Sequence, residues 1–317
     1  VPRKTCVAPR QGGDIVRSVG DDCLVTAEPD GGRLLFTVDT FVDEVHFTRS
    51  YMTWEEIGAR CMAASVSDIA AMSGVPAHTL LSLSMPRTLP LEDAVSLFRG
   101  LAATAESYGC PIVGGETTST PGPLTVTVTV VGKAEPERVV LRSGASEGDA
   151  VYVTGCLGDA MAGLEAFKRN ETGCVRLKKA YVRPGAKIAV SRELTARFKL
   201  TAMIDLSDGL ATDLGHICEE SGLGALVEEK ALPLSREYLG FMERAGLDPV
   251  GFALSGGEDF GLLFTSSDRG LESVNDILGE PVTRIGTMTA EPGGLKRIGP
   301  DGNAIPITHK GYEHFRR

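Results

Sequence analysis

The amino-acid sequence predicts an α/β (α+β) protein of two domains with mixed sheets, and three observations carry the prediction. Leu124, Val126, Val128 and Val130 alternate with Thr125, Thr127 and Thr129, the period of 2 expected of a strand with one covered face. Thr53-Trp54-Glu55-Glu56 has the spacing of a capping box and opens a long apolar stretch, which marks a helix. Charge, Gly and Ser then gather between Glu135 and Asp149, after which strand and helix patterns start again. A chain of 317 residues has room for two domains of roughly 150 residues. The boundary is expected in that polar stretch, giving residues 1–138 and 139–317.

Taken in order, Leu34 to Asp39 reads as a short strand that ends in its acid. The capping box starts a helix from Trp54 to Ser73, with Gly74 as its stop and Pro76 just beyond. Thr79 to Met85 is expected as a strand, Leu91 to Tyr108 as a helix ending at Gly109, and Pro111 to Val113 as a short strand. The second half restarts with strand Ala150 to Thr154 and a helix from Asp159 to Arg169. Strand Thr201 to Asp205 feeds a helix from Gly209 to Ser221, stopped by Gly222, and Phe260 to Thr265 is a further apolar strand.

Composition narrows the function. Lys plus Arg number 32 against 42 Asp plus Glu, a net charge of −10, and such a surface repels nucleic-acid backbones. The longest uncharged run, Ile69 to Pro86, is broken by Pro76, His78 and several Ser, so no membrane span is expected. The seven cysteines are widely spaced without a C-x-x-C, which fits a reduced, cytoplasmic protein better than a disulfide framework or zinc site. P-loop, dinucleotide-binding, protein-kinase and G-x-S-x-G signatures are missing, and the five histidines lack H-E-x-x-H spacing.

What stands out is a series of acids at the ends of elements, beside glycines. Asp21 and Asp22 follow Gly20, Asp39 closes a strand, Glu116 follows Gly114-Gly115, and Glu258-Asp259 follow Gly256-Gly257. Asp205-Leu206-Ser207-Asp208-Gly209 forms a strand-to-helix junction. Each taken alone also reads as a helix cap or a turn. Asp68 resists that reading, because it lies among Ala64, Ile69, Ala71 and Met72 within a helix, where an acid needs a partner. Together the acids suggest a multi-carboxylate site for hard cations such as Mg²⁺, which bridge carboxylates to substrate phosphates. Paired glycines let backbone N–H groups approach those phosphates closely.

At these residues the sequence resembles a known family. Gly20-Asp21-Asp22, Thr37-Val38-Asp39-Thr40, Val45-His46-Phe47, Ser67-Asp68-Ile69-Ala70-Ala71-Met72, Gly114-Gly115-Glu116-Thr117-Thr118, Ile204 to Leu210 and Leu254-Ser255-Gly256-Gly257-Glu258-Asp259 are similar to the successive motifs of the thiamine-monophosphate kinases. The ending Lys310-Gly311-Tyr312-Glu313-His314-Phe315 is similar to theirs as well. Several of the motifs recur across the wider AIR synthase superfamily, whereas the Ser-Gly-Gly-Glu-Asp segment and the tail are more specific.

The resemblance implies an AIR synthase-like fold whose N-terminal domains share a barrel in a homodimer, and a C-terminal α/β domain. It implies ATP-dependent phosphorylation of thiamine monophosphate with Mg²⁺. Metal ligands would fall at Asp22, Thr37, Asp39, Asp68, Glu116, Asp205 and Asp208, and nucleotide contacts at Gly115, Glu116, Arg142 and Ser207. Asp205, Asp208 and Arg142 would be catalytic, and His46, Glu258 and Tyr312 would meet the substrate. Three positions depart from the family pattern. Val38 stands where a hydroxyl residue is common, Glu116 where Asp is usual, and Gly261 where an acid often follows. Two other readings stay open: a superfamily enzyme acting on a formylglycinamidine-type substrate, and a non-catalytic ATP-binding paralogue.

Overall fold

The computed structural model describes residues 14–268, 270–271, 279–308 and 311. Within it the chain forms two compact units that divide between Val139 and Val140.

The first unit is a six-stranded sheet carrying two helices. Its elements are β1 (Ile15–Arg17), β2 (Leu24–Ala27), β3 (Arg33–Val42), α1 (Trp54–Ala71), β4 (Val75–Pro86), α2 (Leu91–Ser107), β5 (Ile112–Thr120) and β6 (Thr125–Ala134). The strand order is β1-β2-β3-β6-β4-β5. All pairings are antiparallel except β4 with β5, which α2 connects as a crossover. The alternation read at Leu124–Val131 is real: Val126, Val128 and Val130 are fully buried in β6, between antiparallel neighbours. The capping box also forms, with Thr53 Oγ1 accepting the Glu56 N–H and Glu56 accepting the Thr53 N–H.

α1 lies between the sheet and α2, so apolar residues are needed almost all the way round it, and Ile57, Cys61, Met62, Val66, Ile69 and Ala70 are buried. The two helix backbones come close enough to exclude side chains at the crossing. A Cβ on Gly100 would lie 2.0 Å from the Glu55 carbonyl oxygen, and one on Gly58 would lie 2.2 Å from that of Leu97.

The second unit is a seven-stranded sheet flanked by helices. It contains β7 (Ala150–Thr154), α3 (Asp159–Lys168), α4 (Val175–Val182), α5 (Ile188–Arg197), β8 (Leu200–Asp205), α6 (Leu210–Ser221) and β9 (Gly224–Glu228). It continues with α7 (Arg236–Ala245), α8 (Pro249–Ser255), β10 (Leu262–Ser266), β11 (Val282–Thr289), β12 (Leu295–Ile298) and β13 (Ala304–Pro306). The order is β13-β12-β9-β11-β7-β10-β8, with only β12 and β9 parallel. Val151, Val153, Ile204, Leu263 and Ile285 of the sheet pack with Leu210, Leu214 and Ile217 of α6 and Phe241 of α7.

Two expectations change. Asp39 does not end its strand, because β3 runs on to Val42 while paired residue by residue with β6. Gly114-Gly115-Glu116 lies inside a nine-residue strand, since β4 supplies a parallel ladder that outweighs the poor strand propensity of glycine.

Replacing Gly100 by Ala should cost about 1–3 kcal/mol, because the methyl group meets backbone rather than a movable side chain. Denaturant unfolding measures this, and a loss below about 0.5 kcal/mol would contradict the close crossing.

Candidate functional site

The N-terminal unit gathers one set of acids where β3 packs on α1. Thr37 and Asp39 are two apart on a strand and so share a face, the face that carries buried Leu35 toward α1. Ser65 and Asp68 are three apart on the helix and face back. Thr37 Oγ1 donates to Asp68 Oδ2, which supplies the partner that an acid inside an apolar helix needs. Ser65 hydrogen-bonds the Asp39 carboxyl, and the two are joined by Asp22, one of whose carboxylate oxygens lies within 4.8 Å of one of Asp68. Burial pushes the Asp39 carboxyl above its ordinary range; the Ser65 bond works against this, and the nearby Asp22 charge adds to it.

Asp22, Thr37, Asp39 and Asp68 therefore converge as the sequence suggested. Hard oxygen donors at this spacing suit a cation such as Mg²⁺, which would also offset the burial and, to a lesser extent, the Asp22 charge that hold Asp39 up. Val38 is on the opposite face of β3 and 64% exposed, so its departure from the family pattern removes no ligand from this set.

Gly115 and Glu116 are elsewhere in the unit. Asp39 aligns with Val128, Val128 with Leu81, and Leu81 with Gly115, which puts three strand spacings, roughly 14 Å, between them. Glu116 is exposed on the edge strand and accepts the Thr117 N–H. Gly115 has φ +152°, and a Cβ there would lie 1.8 Å from the Leu81 carbonyl oxygen, so only glycine fits. His46 closes the turn after β3: its Nδ1 accepts the Val42 N–H, which leaves the proton of the neutral ring on Nε2. Its ring stands edge-on to Phe41 at 6.0 Å.

The C-terminal unit carries the second set at the end of β8. Asp205 is buried, and the Ser207 hydroxyl donates to its Oδ1 at 3.3 Å. Asp208 and Arg142 are near enough to act on Asp213, which is itself buried and accepts the Gly209 N–H at 3.0 Å. Burial raises the Asp213 carboxyl well above its usual range; the charges of Asp205 and Asp208 raise it further and Arg142 opposes them. Sequence reasoning passed over Asp213. The available signal was the one that picked out Asp68, an acid on the apolar side of a helix, here beside Leu210, Leu214 and Ile217.

The Gly256–Phe260 segment is a turn, not a strand start, and it docks on this junction. Glu258 N–H donates to the Ser207 carbonyl and Phe260 N–H to that of Leu206. Glu258 and Phe260 both have left-handed backbones, at φ +68° and +47°, costing about 1–3 kcal/mol each. Between them Asp259 accepts the Gly158 N–H at 2.6 Å and the Ala160 N–H at 3.1 Å, at the start of α3. Bonds to a charged acceptor contribute about 1.5–3 kcal/mol each, the same order as the strain. Burial nevertheless pushes the Asp259 carboxyl up to about 7. Gly261 leaves little room for the acid that the resemblance leads one to expect there, since a Cβ would lie 2.8 Å from the Thr154 carbonyl oxygen. Tyr312 lies outside the described residues. Its neighbour Gly311 donates its N–H to Thr212 Oγ1, and a Cβ on it would lie 1.9 Å from the Asp208 carbonyl oxygen.

Comparison with known proteins adds independent information. Residues 20–134 match the family model for the AIR synthase related protein, N-terminal domain, and residues 146–296 match that for its C-terminal domain. The chain is 37% identical over 311 residues to the thiamine-monophosphate kinase of Salmonella typhimurium, covering 95% of this chain and 93% of that one. It is 33% identical over 307 residues to the enzyme of the same name from Bacillus subtilis, covering 94% and 93%. A solved structure described as AaThiL complexed with AMPPCP and TMP superposes with a TM-score of 0.83 at 32% identity, covering 94% of this chain and 92% of that one.

Because burial favours the uncharged form of the Asp213 carboxyl, Asp213→Asn should fold as the parent does. The folded carboxyl titrates above the unfolded one (3.8), so as pH rises past about 4 the parent loses a contribution to stability that the variant never had. In buffer with a metal chelator the variant should therefore gain on the parent as pH increases. Parallel stability curves would overturn the assignment.

Proposed function

Since the chain belongs to the thiamine-monophosphate kinase family, we propose that it transfers the γ-phosphoryl group of ATP to thiamine monophosphate, giving ADP and thiamine diphosphate. The observation that carries this is the near full-length match at 33–37% identity, beside the acid sets gathered within each unit. The same match disfavours a formylglycinamidine-type substrate, and the acids gathered in each unit disfavour a non-catalytic paralogue.

The acceptor phosphate is already an anionic nucleophile, so direct in-line transfer needs no strong base and no phosphoenzyme. Asp22, Thr37, Asp39 and Asp68 would hold Mg²⁺ on the N-terminal unit, and Asp205 and Asp208 on the C-terminal one. When bound, the metal neutralises charge on the transferring phosphoryl group. Arg142 adds a fixed positive charge beside Asp213, suited to a nucleotide phosphate, with Ser207 as a further contact on its own unit; on the N-terminal unit the family resemblance assigns the Gly115 backbone to the nucleotide. His46 has an Nε2–H to offer the acceptor, and the family resemblance assigns Glu258 and Tyr312 to the same substrate. Glu116 joins the metal and nucleotide residues in this proposal from the edge strand β5, apart from the Asp39 set of its own chain.

A homodimer is part of the same reading. Val38, Thr129, Leu80 and Gly114 form a row across four strands on the sheet face away from α1, and Val38 and Leu80 are 64% and 45% exposed. Large apolar residues exposed on either side of Thr129 call for a cover. No helix among the described residues is long and apolar enough to cross a membrane, and their six cysteines are all free, which supports a cytoplasmic setting.

Incubating the protein with ATP, Mg²⁺ and thiamine monophosphate should yield thiamine diphosphate; ATP turnover only with another acceptor would refute the proposal. Asp39→Asn and Asp205→Asn should each cut the rate by about 100- to 1,000-fold while circular dichroism stays unchanged. Normal kinetics in either would remove that residue from the metal set. Leu80→Glu should shift the light-scattering mass from two chains toward one, and an unchanged mass would place the interface elsewhere.

A further inference from the structure

The turn at Gly256–Phe260 brings together groups that the reaction as proposed does not explain. Its backbone is squeezed on both sides. A Cβ on Gly257 would lie 2.3 Å from the Ser207 carbonyl oxygen, and one on Gly256 would lie 3.2 Å from the Met161 Cβ of α3. Gly209 in turn has room only for hydrogen, with the Ser255 carbonyl oxygen 2.8 Å from its Cβ position. Two consecutive backbone bonds, Glu258 to Ser207 and Phe260 to Leu206, tie the turn to the stretch between Asp205 and Asp208. Asp259 reaches the other wall, with one carboxylate oxygen on Gly158 N–H and the other on Ala160 N–H. α3 has Gly158 at its N-cap and no side-chain cap of its own, so this distant carboxylate takes that place.

We propose that Asp259 is a positioning residue: by clamping the strained turn to the start of α3 it aims Glu258 at the phosphate acceptor and holds the Leu206–Ser207 carbonyls that set the Asp205–Asp208 junction. Its neighbours explain why an anchor is needed. A glutamate and a phenylalanine on either side are both in the left-handed region, which a free chain leaves readily. Without the clamp the turn relaxes, and the Glu258 carboxylate loses its fixed direction. The role rests on Glu258 meeting thiamine monophosphate as proposed above.

Asp259→Asn tests this with little change of shape, since the amide turns an N–H₂ toward one of two N–H donors. The KM for thiamine monophosphate should rise roughly tenfold with the KM for ATP nearly unchanged. In a Glu258→Gln background the same change should have much less effect, because the residue it acts through is already disabled. Amide exchange should accelerate at residues 256–260 and 158–160. Asp259→Glu, which keeps the charge, should fall between parent and Asp259→Asn.

Equal effects on both KM values, additivity with Glu258→Gln, or unchanged exchange would each overturn the positioning role while leaving the kinase reading in place. Failure of both Asp259 variants to fold would make the residue structural and overturn it too. A parent protein that transfers no phosphate to thiamine monophosphate would instead overturn the kinase reading, and the positioning role with it.

Discussion

Crowded carboxylates repel one another, and much of this protein's architecture serves to keep them crowded. In the first unit the packing of β3 on α1 forces Asp22, Asp39 and Asp68 into one place. In the second, the β8–α6 junction does the same for Asp205, Asp208 and Asp213. Removing an acid from water makes its charged form unfavourable, and a like neighbour makes it worse. Such sets persist because hydroxyls and N–H groups are built in around them: Thr37, Ser65, Ser207 and Gly209. What remains unbalanced suits a hard cation and a phosphate chain.

Glycine does the complementary work of bringing backbones together. Gly58 and Gly100 let two helices cross almost in contact, which places α1 firmly under the sheet and with it Ser65 and Asp68. Gly209 and Gly257 do the same where a strained turn meets the end of β8. Rigid elements near the acids matter because a misplacement of about 1 Å is costly to catalysis. Strain at Glu258 and Phe260 belongs with this picture, as the surroundings over-determine a conformation that the chain would otherwise abandon.

Much of the site was legible in advance. Asp68 stood out because a helix interior tolerates an acid poorly, and its hydroxyl partner on β3 duly appears. Asp213 met the same criterion and was passed over, since it sits outside any Gly-Asp or Ser-Asp cluster. Asp259 was visible only as part of a motif, with nothing local to say that its partners lie about a hundred residues earlier, at Gly158 and Ala160. Tail residue Tyr312 lies outside the described residues, though Gly311 packs beside Asp208.

From the order of amino acids alone came the main element types, the capping box at Thr53, the buried alternation of β6 and the candidate acids, because these depend on neighbours within a few residues. Only the tertiary structure decided that the Val38 face of β3 is the exposed one, that Gly115 and Glu116 belong to an edge strand three places from Asp39, and that burial raises the Asp213 carboxyl well above its usual range. The reason is physical. Strand pairing and burial are set by residues far along the chain, and both the direction of a side chain and the charge it carries follow from them.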